Sequence, residues 1–179
     1  EPLSSTYTYL LGCETTGEAV LIDPVVNSID RDLSTLHELQ LKLVCTIDTH
    51  IHADHITGAR HLRERVGSKI AAPAVDALPC VDIGLVEGVP FQLGSIVLNP
   101  LHTPGHTEGH FAYRSADRLF SGDALLIVGR RRTAFQNGDP RALVRILPDT
   151  QFALPHEPPV TPDPAHHDPR LASHCQRHP

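Results

Sequence analysis

The sequence contains no Trp and no Met, and only three Tyr and five Phe among its 179 residues, so aromatic rings can build little of any core. With 40% of residues hydrophobic, an aliphatic core of one-domain size is nevertheless affordable, and disorder is excluded. Long apolar runs are also missing. The best stretches, such as Ala124 to Val128, fall far below the roughly 20 residues of a membrane helix, so no bilayer-spanning segment is expected. Positive charge is in deficit: the net charge is −6, which argues against a nucleic-acid partner, and the run Arg130-Arg131-Arg132 is too short to reverse that. The four cysteines, Cys13, Cys45, Cys80 and Cys175, show no CxxC spacing, so neither a zinc knuckle nor a redox pair is indicated, and reduced thiols in a cytosol-like compartment are expected. The chain opens on Glu1 without a signal-peptide pattern. The initiator is therefore expected to be missing from this stretch, and a targeting segment would have gone with it.

What the sequence has in excess is histidine, 13 in all. The pattern around these residues reads as β, β, α, β, α and then mostly β, which predicts sheets covered by helices on their outer faces. Thr6 to Leu11 and Ala19 to Ile22 form a predicted hairpin closed by Asp23-Pro24. A helix is predicted from Ser28 as N-cap through Leu41, and a strand over Leu43 to Ile47. Ile56, Ala59, Leu62 and Val66 mark a second helix that Gly67 ends. Further strands are predicted at Lys69 to Ala72, Ser95 to Asn99, Phe111 to Arg114 and Leu119 to Ser121. From about residue 155 the character changes: six prolines between Pro155 and Pro169 predict a rigid, extended surface segment. The whole chain, 1–179, reads as one domain.

Three clusters carry chemistry. His50, His52, Asp54 and His55 place four potential ligands in six residues just past a buried strand. Imidazoles two apart on extended backbone face the same way, and the turn that follows brings Asp54 and His55 to a neighbouring point, so the spacing suits one metal or two adjacent ones. The second cluster runs from His102 to His110. His106 sits on its Pro-Gly bend as a ligand would, whereas His102 and His110 read as ordinary loop or strand residues. The third is Gly122-Asp123 at the end of a strand, where a carboxylate followed by the apolar run Ala124 to Val128 needs a metal or a basic partner.

Taken in order, Thr49 to His55 (THxHxDH), Thr103 to His110 (TPGHTxGH) and Gly122-Asp123 resemble the metallo-β-lactamase superfamily. The resemblance implies an αββα sandwich of two mixed sheets with helices outside and a metal site at one edge. The text around Ser5 to Leu11, Ala19 to Val25, Thr49 to Gly58, Gly122 to Ile127 and Arg132 to Asp139 is similar to the persulfide dioxygenase branch, relatives of glyoxalase II. That likeness implies oxidation of glutathione persulfide by O2 to sulfite and glutathione at one Fe(II) per chain, held by His50, His106 and Asp123. It leaves His52, Asp54, His55 and His156 to orient ligands and water, and Arg170 beside the glutathione pocket. It implies a small thiol and O2 as partners, allows a homodimer, and places the protein in the cytoplasm, or in the mitochondrial matrix if a targeting segment has been removed. The alternative is a hydrolase of glutathione thioesters in which His52, Asp54, His55 and His156 bind a second metal or zinc replaces iron; a further one is a metal-binding module without turnover. The sequence departs from the branch at Arg131, Ala134 and Pro158, and it is short between Ala142 and Leu147.

Overall fold

A computed structural model describes residues 6–116 and 118–124 and the backbone of 160–161. Tyr9–Cys13 (β1) and Glu18–Ile22 (β2) form the expected antiparallel hairpin, with Tyr9 opposite Ile22 and Cys13 opposite Glu18. Gly17, at φ 67°, supplies the left-handed step of its turn. The strand starts at Tyr9 rather than Thr6, because the Thr6 side chain leaves the ladder and is buried against His55.

Two helical crossovers follow, Ile29–Glu38 (α1) and Ala59–Val66 (α2), separated by Lys42–Ile47 (β3) and followed by Lys69–Pro73 (β4). Both helices are shorter than the apolar spacing predicts. Ser28 is buried as the last residue of a 3-10 turn and makes no side-chain cap, and α1 ends at Glu38 instead of Leu41. Ile56 lies outside α2 and is 69% exposed, since its carbonyl accepts the Val26 N–H at 3.0 Å and its neighbour Thr57 bridges Val25. Gly67 ends α2 in the left-handed conformation, as predicted.

The first sheet has the order β1-β2-β3-β4-β5, where β5 is Ile83–Leu85 and every pairing after the hairpin is parallel. The second runs β10-β9-β8-β7-β6 and is antiparallel through Phe91–Leu93 (β6), Ile96–His102 (β7), Phe111–Arg114 (β8) and Leu119–Phe120 (β9). Val160–Thr161 (β10) adds in parallel at the edge, between prolines, where a strand can tolerate them. The sequence reading missed β5 and β6, three residues each with an exposed Gly84 or Gln92 at the centre, too short to show a period.

A bulge decides which way the first sheet faces. Ala19 pairs with Leu43 but Val20 pairs with Cys45, so Val44 is an extra residue and the parity of β3 switches there. Leu43, with Ala19 and Leu21, therefore packs under Ile29, Leu36 and Leu62 of the helices. Cys45 and Ile47, with Val20 and Ile22, face the second sheet and meet Leu98, Phe111, Tyr113 and Phe120. Burying aliphatic side chains such as Ile47 and Leu98 contributes roughly 1.5–3 kcal/mol each, which lets a core poor in aromatics hold. Among the described residues, α-helices cover the first sheet alone, and no helix is long and apolar enough to cross a membrane.

Candidate metal centre

Three chain segments end at one edge of the sandwich. Beyond β3, residues 48–50 are strapped to the second sheet: Phe111 N–H donates to the Thr49 carbonyl at 2.8 Å and Tyr113 O–H to the Asp48 carbonyl at 2.9 Å. Between β7 and β8, Thr103 N–H donates to the His110 carbonyl at 2.8 Å and closes the mouth of the loop that carries His106. After β9, Gly122 at φ 49° turns the chain so that Asp123 points back inside.

These segments bring His50, His106 and Asp123 together. All three are buried, and their donor atoms lie within 4.8 Å of one another. The Asp123 Oδ2 is 3.5 Å from His50 Nε2 and 3.3 Å from His106 Nε2. Two donors each about 2.1 Å from one ion lie about 3.0–3.4 Å apart, so the trio fits a single metal with little adjustment. Burial, with the charge of His52 adding to it, pushes the His50 pKa down to about 4, which keeps its imidazole neutral as a ligand must be.

His52, Asp54 and His55 lie beside the trio. His52 donates to Asp23 through Nε2 at 3.1 Å, and its ring lies against that of His50, centroids 4.1 Å apart and planes tilted by 51°. Burial opposes its charged form, yet the charge and hydrogen bond of Asp23, joined by Asp48 and Asp123, outweigh burial and carry its pKa up to about 9. Burial likewise raises Asp48 to about 7, with His52 and Thr57 opposing and Asp23 assisting. His55 sets Nδ1 3.1 Å from Asp54 and 3.3 Å from Thr6, while its Nε2 is buried with no hydrogen-bond partner among the described residues. His52, Asp54 and His55 make a second group with donor atoms within 4.8 Å. A cavity of about 110 Å³ lies beside them, lined by Asp48, His50, His52, His55 and Asp76. A larger recess of about 670 Å³, between β1 and β7–β9, carries none of these donors. His156 and Arg170 lie outside the described residues.

Two residues were missed. His110, read from sequence as an ordinary loop or strand residue, is fully buried in the wall of the site, its ring 5.0 Å from that of His50. Its Nδ1 is 2.7 Å from the Thr103 hydroxyl, its Nε2 has no hydrogen-bond partner among the described residues, and burial followed by the charge of His50 lowers its pKa well below the usual value. Its place immediately before the apolar run Phe111 to Tyr113 was the available signal. His102 does stay outside, donating through Nε2 to the Glu108 carbonyl at 2.8 Å. Asp23 is the other, a charge at the end of the apolar run Ala19 to Ile22, now fully buried beneath Thr49 and His52.

A family model described as "Metallo-beta-lactamase superfamily" matches residues 2–173. The chain is 41% identical over 157 residues to persulfide dioxygenase ETHE1, mitochondrial, of Mus musculus, covering 87% of this chain but 62% of the mouse protein. It is 36% identical over 149 residues to a hydroxyacylglutathione hydrolase of Cereibacter sphaeroides, covering 81% of this chain and 57% of that protein. The chain thus spans about three fifths of the length of these relatives. The crystal structure of ETHE1 from Myxococcus xanthus superposes with a TM-score of 0.89 at 42% identity, over 98% of this chain and 79% of that one. With the two packed sheets, the three segments that bring His50, His106 and Asp123 together and a family match over nearly its full length, the chain belongs to the metallo-β-lactamase superfamily.

Proposed function

We propose that the protein is a persulfide dioxygenase, with His50, His106 and Asp123 holding one Fe(II) in a single unit spanning 1–179. The observation that carries this reading is the composition of the trio: two imidazoles and one carboxylate converge, while His52 Nε2 is committed to Asp23. Three protein donors leave positions open on an octahedral ion, and iron, unlike zinc, supplies electrons to O2 when bound. In this reading, supported by the likeness to persulfide dioxygenases, the substrate is glutathione persulfide: O2 oxidises its outer sulfur, and water then releases that sulfur as sulfite and leaves glutathione as the thiol. Among the chain's own residues, Thr49 bonds the donor His50, and Asp54 and Thr6 hold His55 at the rim, outside the trio. His156 and Arg170 remain in this reading as an orienting group and a carboxylate partner of glutathione, with the cytoplasm or mitochondrial matrix as its compartment.

The second group, His52, Asp54 and His55, favours one competing reading, a two-metal thioester hydrolase. Metal analysis and assay separate the two. Anaerobically loaded protein is expected to hold one iron per chain and to consume O2 with glutathione persulfide, with no comparable hydrolysis of S-lactoylglutathione; two metals with fast hydrolysis would reverse the assignment. His55→Ala is expected to retain its iron and lose ~10- to 100-fold in turnover, as removal of an outer partner does. Loss of a second metal equivalent in that variant would point to the hydrolase.

A further inference from the structure

We infer that Asp23 is a positioning residue of the metal centre: through the Thr49 hydroxyl it fixes the proton of His50 on Nδ1, leaving Nε2 as the lone pair that faces Asp123 and His106. The inference rests on the trio above being a metal site, and not on which sulfur compound is oxidised.

Asp23 follows β2 with φ 50°, a left-handed conformation that strains a non-glycine residue. The surroundings hold it there: its N–H donates to the Ile47 carbonyl at 2.8 Å and its own carbonyl accepts the Thr8 hydroxyl at 2.9 Å. What the conformation achieves is placement of a fully buried carboxylate directly under residues 49–52. Its Oδ1 accepts the Thr49 N–H at 2.7 Å and His52 Nε2–H at 3.1 Å, and its Oδ2 accepts the Thr49 O–H at 2.9 Å.

The proton count then leaves one arrangement. A threonine hydroxyl has one hydrogen, and Thr49 gives it to Asp23. Toward His50 Nδ1, 2.9 Å away, the same oxygen can only accept, so Nδ1 carries the N–H. A metal-binding imidazole is neutral and has a single N–H, so Nε2 is bare. It is also the nitrogen 3.5 Å from Asp123 Oδ2. The same carboxylate takes the Nε2–H of His52, turning that nitrogen away from the trio. One buried acid thus frees Nε2 of His50 for the trio and keeps Nε2 of His52 out of it.

The test uses the full chain with Thr49→Ser, Thr49→Val and Asp23→Asn. Long-range proton–nitrogen NMR of the metal-free protein at neutral pH reads the His50 tautomer, and chelator competition reads Co(II) affinity. Wild type and Thr49→Ser are expected to show His50 protonated on Nδ1 and to bind Co(II) alike. Thr49→Val is expected to show both tautomers and bind ~10- to 100-fold more weakly. In Asp23→Asn the amide N–H donates to Thr49, whose hydrogen then turns to Nδ1, so the proton moves to Nε2 and affinity falls further. A purely structural Thr49 would lower the melting temperature without moving the tautomer. Wild-type His50 protonated on Nε2, or Thr49→Val binding as tightly as Thr49→Ser, would overturn the inference. The expected tautomers in a wild type that takes up no metal would support the relay and sink the metal reading above instead.

Discussion

Alanine at His50, His106 or Asp123 is expected to take the iron content from near one per chain to near none, and O2 uptake with it. Each variant removes one of three protein donors, leaving an ion held by two. That loss goes well beyond the ~10- to 100-fold cost of removing an outer partner, so the three variants should stand apart from His55→Ala in both metal content and rate. All three side chains are at least nine-tenths buried. A folded far-ultraviolet circular dichroism spectrum must therefore accompany each measurement, to separate a lost ligand from a lost fold. If two of the three folded variants kept stoichiometric iron, the ligand set would be wrong. If His55→Ala lost as much metal as they do, the boundary between the trio and its surroundings would be drawn in the wrong place.

His50, His106 and Asp123 stood out as candidate ligands because each follows a strand, where such residue types suit ligand chemistry, while their grouping as a trio came from the resemblance to the family. The order of elements was visible for a similar reason: runs such as Leu43 to Ile47 and helical spacing such as Ile29, Leu33 and Leu36 are local signals. What stayed hidden depends on partners far along the chain. Asp23 and Thr49 are 26 residues apart, and nothing in either neighbourhood announces that the carboxylate lies under the histidine loop. His110 looked interchangeable with His102, since both lie in one histidine-rich loop. The direction each side chain takes at the hairpin mouth decides the matter, burying His110 against His50 while His102 turns to the Glu108 carbonyl. Ile56 misled for a related reason, because its spacing fits a helix but its backbone is claimed by Val26. Short β5 and β6 and the Val44 bulge depend on pairing, which periodicity within one strand does not record.

Gly122→Ala should damage both the fold and the site, and comparison with Gly67→Ala shows why. Both glycines have positive φ, 49° and 75°, so both alanines pay the left-handed strain of about 1–2 kcal/mol. Around Gly67 a Cβ would meet nothing within 4 Å among the described residues, so strain is the whole effect there. At Gly122 the new carbon would fall 2.7 Å from the Thr49 hydroxyl oxygen and 3.0 Å from His110 Nε2, two atoms fixed in the wall of the site. Relieving that overlap adds about 1–3 kcal/mol of overpacking, for a total of about 2–5 kcal/mol. In a chain of this size each kcal/mol lowers the melting temperature by about 2–4 °C, so the Gly122 variant should melt well below the Gly67 variant. The metal should tell them apart more sharply. Pushing the Thr49 oxygen away loosens His50 and displaces Asp123, the next residue, so Gly122→Ala should lose most of its iron while Gly67→Ala, at the far end of α2, keeps it. Equal melting temperatures and equal iron content in the two variants would mean that Thr49, His110 and Gly122 do not pack as closely as this geometry requires.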